Sequence, residues 1–204
     1  MLQGLKTAAS VDWSKWHVFW VDERCVPHSD PESNYGGAYS ALLKDVPIPD
    51  SQIYAINDTL CSADTVSAAE AATDYEARLK GLPVEVLPVK DGLPVFDLLL
   101  LGFGPDGHIC SLFPDHPLLT VTGPWILPIE DSPKPPPKRI TFSLPVVNAA
   151  AHKCFVACGE GKAEMAAQIL KTQSAEGAVP AALVTGNVSW IMDDAAASQL
   201  PSKM

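Results

Sequence analysis

A chain of 204 residues, 47% hydrophobic and 19% charged, carries enough apolar material for a folded core and excludes a disordered tail or a coiled coil. Fourteen basic against 24 acidic side chains leave a formal charge of −10, which argues against general affinity for nucleic acid or an anionic membrane. A small anion held by a few cations focused in one cleft stays open. Cys25, Cys61, Cys110, Cys154 and Cys158 are scattered without a Cys-x-x-Cys pair and read as intracellular thiols rather than a disulfide framework.

Along the chain, residues 1–10 lack the apolar block and cleavage site of a secretory signal and the arginines of a transit peptide. The most apolar stretch, 93–104, contains Asp97 and is far shorter than the roughly 18 residues of a bilayer span. A soluble cytosolic protein is therefore expected. Runs rich in β-formers follow at 17–21, 53–56, 97–101, 140–144, 154–157, 182–184 and 189–192. Helices are expected over 34–45, with Tyr35, Ala38, Leu42 and Val46 at three-to-four spacing, over 64–80, stopped by Gly81, and over 162–171. Nineteen prolines lie largely between these runs, densest at 133–137, where they mark connections. The unbroken apolar run Leu98–Leu101 predicts a strand covered on both faces. This order predicts an α/β fold with a mostly parallel sheet, in one domain without repeat or linker.

Ligands of such sheets gather at the carboxyl ends of the strands, and three ends carry chemistry. After the aromatic run at 17–21 comes Asp22-Glu23-Arg24. Arg24 offers either a planar donor fork for phosphate or carboxylate or a salt bridge to Asp22 or Glu23. After 97–101 comes Gly102-Phe103-Gly104-Pro105-Asp106-Gly107-His108. Its glycines satisfy G-x-G-x-x-G, but Pro114 and Pro117 prevent the long helix that dinucleotide binding requires. The glycines would instead admit a substrate close to backbone N–H groups. His108, two residues from Asp106, suits general-base work near neutral pH. After 154–157 comes Gly159-Glu160-Gly161-Lys162-Ala163, a turn into a helix with a lysine in its first turn. That is an anion site or a solvated lysine. No metal site is expected, since His108-x-Cys110, Cys154-x3-Cys158 and His152 make no four-ligand set at usual spacing. No G-x-S-x-G nucleophile motif occurs.

Taken together and in this order, these segments resemble the 6-phosphogluconolactonase family, which belongs with the glucosamine-6-phosphate isomerases. The resemblance rests on Val21-Asp22-Glu23-Arg24 with Ser33-Asn34, on Gly102 to His108 with Ser111-Leu112-Phe113-Pro114, on Gly159 to Ala163, and on Ser132 to Thr141. It implies a Rossmann-like sheet with helices on both faces and a metal-free, cofactor-free hydrolysis of 6-phospho-glucono-δ-lactone. His108 would then be the general base, Asp106 a neighbour that tunes the site, Arg24 and Lys162 the grip on the 6-phosphate, and Arg139 a further cation. Related isomerases continue Phe-Asn-Glu-Pro after Asp-Gly-His, and Phe113 stands where their glutamate would be. That favours lactonase over isomerase or deaminase.

The resemblance also implies a first strand ending in a Gly-Gly-Ser loop, which supplies phosphate donors. No such segment precedes residue 17, so a first βα unit is expected to be missing. A non-catalytic truncated isoform is the alternative, and a longer form could carry a plastid address.

Overall fold

Serine side chains open two of the helices. The Gly36 N–H donates to Ser33 Oγ at 3.1 Å and the Glu70 N–H to Ser67 Oγ at 3.2 Å, each satisfying an amide that the first helical turn leaves without a carbonyl partner. The computed structural model describes residues 2–8, 10–61, 67–171 and 177–201. In chain order the elements begin with helix α1 (Leu2–Leu5), strands β1 (Val18–Phe19) and β2 (Asp22–Arg24), α2 (Asn34–Ala41), β3 (Ile53–Tyr54) and α3 (Ala68–Lys80). There follow β4 (Val89–Lys90), β5 (Leu93–Pro94), β6 (Leu98–Leu101), β7 (Ile126–Ile129), β8 (Arg139–Phe142) and α4 (Leu144–Ala149). The chain closes with β9 (His152–Ala157), α5 (Ala163–Lys171), β10 (Val188–Met192) and α6 (Asp194–Ala197).

The chain divides into two compact units, 1–86 with 126–141 and 87–125 with 142–204. In the first unit β1 pairs with β3 in parallel, Val18 opposite Ile53, while β2 pairs antiparallel with β8, which also borders β7. Helix α3 packs against β7. Trp13, Trp20, Leu42, Leu43 and Ile48 form a buried cluster. Beneath it the Tyr75 hydroxyl accepts the Trp20 N–H at 2.9 Å and donates to the Tyr54 carbonyl at 3.0 Å.

The second unit is built on a parallel sheet in the order β10-β9-β6, with Leu101 opposite Phe155 and Met192 opposite Ala157. Phe155 stacks on Trp190 with ring centroids 4.4 Å apart, and Phe103 meets Phe155 edge-on and Trp190 at a tilt.

The sequence expectations hold for the α/β class and for most elements, with informative differences. The run at 17–21 yields one short strand, β1, paired in parallel, and the next strand, β2, begins only at Asp22 and pairs antiparallel in a different sheet. Leu98 is 49% exposed although Leu99 and Leu101 are buried. Leu100, on the same face as Leu98, is only half-buried, so that face of β6 is incompletely covered. The run at 182–184 belongs to a 3-10 turn, Pro180–Leu183, started by its proline. Helix α3 begins at Ala68, and the expected residues 64–66 lie outside the described ones. Helix α4, strand β7 and the β4–β5 hairpin were not expected. The hairpin turns through Asp91 and Gly92 at φ of 52° and 82°, the geometry that an Asp-Gly pair favours. Among the described residues no helix is long and apolar enough to cross a membrane.

Candidate active site

Strand β6 runs into Gly102 to His108, and this loop folds back on itself. The Gly104 N–H donates to the His108 carbonyl at 2.9 Å and the Gly107 N–H to the Gly104 carbonyl at 3.0 Å. The turn needs Gly107, whose φ is +76°, and a Cβ there would stand 2.5 Å from Val179. Folding the loop this way brings His108 Nδ1 within 2.6 Å of Asp106 Oδ1. The carboxylate selects the imidazole tautomer with its proton on Nδ1, which makes Nε2 the basic nitrogen. The two side chains are 17% and 36% exposed, so the pair is held by the protein and still reached by solvent. The Phe113 ring lies 4.7 Å from the imidazole, centroid to centroid. An apolar ring with no proton to transfer thus stands beside the imidazole.

Gly104 has a role the sequence reading gave to a substrate. A Cβ on it would run into His108 Nδ1 and Asp106 Oδ1. The missing side chain makes room for the imidazole itself.

Lys162 reaches this loop from the neighbouring strand. It ends the 3-10 turn Glu160–Lys162 that leads from β9 into α5, and its Nζ donates to the Phe103 carbonyl at 2.6 Å, lying 5.2 Å over the Phe103 ring. An ammonium carries three donors, and the carbonyl takes one. The second unit therefore gathers Asp106, His108 and Lys162 at the carboxyl ends of β6 and β9.

In the first unit, the buried Glu23 carboxylate accepts the N–H of Asn34 and of Tyr35, both at 2.7 Å, and that of Arg24 at 2.8 Å. It is the anion at the start of α2. Burial pushes its carboxyl above the ordinary range while these amides pull the other way. Arg24 pairs with neither Asp22 nor Glu23. Its Nη1 lies 3.3 Å from the Glu32 carboxylate, and its Nε is buried without a hydrogen-bond partner. Arg139, opposite Arg24 in the β2–β8 ladder, is buried and donates to the carbonyls of Pro136, Lys134 and Pro135 at 2.9, 2.8 and 3.1 Å. Burial, and then the Arg24 charge, hold its guanidinium below the ordinary value. It fastens the proline-rich loop. A surface cavity of about 350 Å³ beside His28, Tyr35 and Tyr39 contains none of these candidates.

Residues 1–192 match the family model described as glucosamine-6-phosphate isomerases/6-phosphogluconolactonase. The chain belongs to that family. It is 49% identical over 201 residues to the probable 6-phosphogluconolactonase 4, chloroplastic, of Oryza sativa subsp. indica, covering 95% of this chain and 60% of that protein. The 6-phosphogluconolactonase of Homo sapiens is 47% identical over 196 residues, covering 95% and 71%. The crystal structure of 6-phosphogluconolactonase from Leishmania guyanensis superposes with a TM-score of 0.75 at 29% identity, covering 89% and 74%. The chain thus spans three-fifths of the rice relative's length.

Sequence reasoning took Glu23 only as a motif neighbour and possible salt-bridge partner of Arg24, and missed the Phe103 carbonyl and Asp193, which accepts the Gly159 N–H. The first is an acidic residue next to a more conspicuous arginine, the second a backbone atom, and the third lies 34 residues from its partner. None carried a local signal.

Proposed function

We propose that the chain acts as a 6-phosphogluconolactonase, opening 6-phospho-D-glucono-1,5-lactone to 6-phosphogluconate in the oxidative pentose phosphate pathway. What carries the reading is the His108–Asp106 pair with Lys162 bonded into the same loop, together with relatives of that name. His108 Nε2 takes a proton from water as its oxygen attacks the lactone carbonyl. The ring C–O bond then breaks, its oxygen leaves as a hydroxyl after gaining a proton, and the new carboxylic acid ionises. Asp106 holds the ring in the reactive tautomer and balances the imidazolium. A δ-lactone is an activated ester, so water, a base and local polar donors suffice without a metal or cofactor.

Lys162 supplies a cation for the phosphate, which carries a charge of about −1.5 to −2. Arg24 is proposed as a second phosphate ligand on the strength of its motif. Phe113 has no proton to transfer, which disfavours sugar-phosphate isomerisation. The cytosol is the proposed compartment, with a plastid for a longer form.

The test is hydrolysis of freshly made lactone above its spontaneous rate. His108→Ala is expected to lower kcat by roughly 10²–10⁴-fold, and Asp106→Asn to lower kcat with little change in KM. A His108→Ala chain as fast as the parent would remove the base assignment. Binding of 6-phosphogluconate without turnover would favour the non-catalytic alternative.

A further inference from the structure

Strands β9 and β10 run in parallel and end level, with Met192 opposite Ala157, so the residues that follow them emerge side by side. Asp193 follows β10 directly, and Gly159 follows β9 after Cys158. Both oxygens of the Asp193 carboxylate lie 3.0 Å from the Gly159 nitrogen, and Oδ1 also accepts the Ala196 N–H at 2.8 Å. The other side of the Gly159 residue is fixed too, since its carbonyl accepts the Lys162 N–H at 3.1 Å. Gly159 stands at φ +88°, a backbone state that only glycine adopts without strain, and the turn depends on keeping it there. From this turn Lys162 extends to the Phe103 carbonyl. Helix α6 packs on both the 160–162 turn and α5.

We infer that Asp193 is a positioning residue for Lys162: by clamping Gly159 it sets the turn from which the ammonium reaches the anionic end of the substrate. The inference rests on the proposed phosphate role of Lys162. Asp193 does not touch substrate. Its amide bonds, that of Ala196 first and that of Gly159 next, hold the carboxyl below the ordinary carboxylate value, so the clamp is ionised at neutral pH. A neutral N-cap would suffice for α6 alone. A carboxylate that also grips the turn opposite does more than cap a four-residue helix.

The experiment separates capping from clamping. Asp193→Ser keeps an N-cap oxygen for Ala196 but is too short to hold Gly159 as well. Affinity for 6-phosphogluconate is measured by calorimetry on the full chain, on Asp193→Ser, on Lys162→Met and on the double variant. Amide exchange at Gly159 is followed in parallel. Asp193→Ser should weaken binding roughly tenfold, as expected when a charged group is misplaced by a fraction of a bond length, and should speed exchange at Gly159. In the Lys162→Met background it should weaken binding less than twofold. KM for the phosphorylated lactone should rise while turnover of unphosphorylated glucono-δ-lactone is unchanged, which a general loss of structure would not spare. Equal losses in both backgrounds, or no loss with the parent, would overturn the inference. A Lys162→Met chain that binds like the parent would instead overturn the phosphate role of Lys162.

Discussion

Around His108 the decisive atoms are ones the sequence does not print. The absence of a Cβ at Gly104 lets the imidazole and the Asp106 carboxylate close up against the backbone. Gly104→Ala is therefore expected to displace both side chains without unfolding the unit, because Gly104 is not held at positive φ. Lactone turnover should fall by about 10²-fold, the usual cost of misplacing a catalytic group by an ångström, with the far-ultraviolet dichroism unchanged. Full activity in Gly104→Ala would mean that the ring position is immaterial. His108, Asp106 and Lys162 could be read from the chain because each follows an apolar run and stands among glycines. Their mutual distances could not, since Lys162 lies 59 residues from the carbonyl it bonds.

At the level of elements, short strands depend on side chains that tie them to helices. Tyr75 of α3 bonds the backbone of Trp20, between β1 and β2, and of Tyr54 at the end of β3. Burial pushes its phenol above the ordinary value, near 10. The unfolded phenol then ionises at pH values where the folded one keeps its proton. This contribution is complete below pH ~10 and is lost as the pH rises further. Tyr75→Phe should cost about 1–2 kcal/mol at neutral pH by stranding a buried N–H and a carbonyl. It should also flatten the fall of stability above pH ~10, where the parent loses the phenol's protection. Urea midpoints from pH 7 to 11 measure both effects. A steep alkaline loss that survives in Tyr75→Phe would place its origin elsewhere. Element type was readable from apolar runs, prolines and the helix stop at Gly81. That a second strand starts at Asp22, in another sheet from β1, was not, because partner choice depends on residues 53–54 and 139–141.

For the molecule as a whole the acidic balance governs what it meets in solution. A net charge of −10 gives no counterion-release advantage on a polyanion. The chain is expected to flow through heparin at about 0.15 M salt, near the ionic strength where the Debye length is about 8 Å. Retention on heparin would show a basic surface that the net charge conceals. Composition, apolar runs and three strand-end motifs by themselves determined the α/β class, the family and the candidate chemistry, because these are local properties of residue type and spacing. Tertiary structure alone decided which strands pair, that Arg139 closes a loop from within, that Gly104 makes room for an imidazole, and that Asp193 meets Gly159. Each of those depends on the register of segments far apart in the chain, and register is set by packing over the whole unit rather than by any short stretch of sequence.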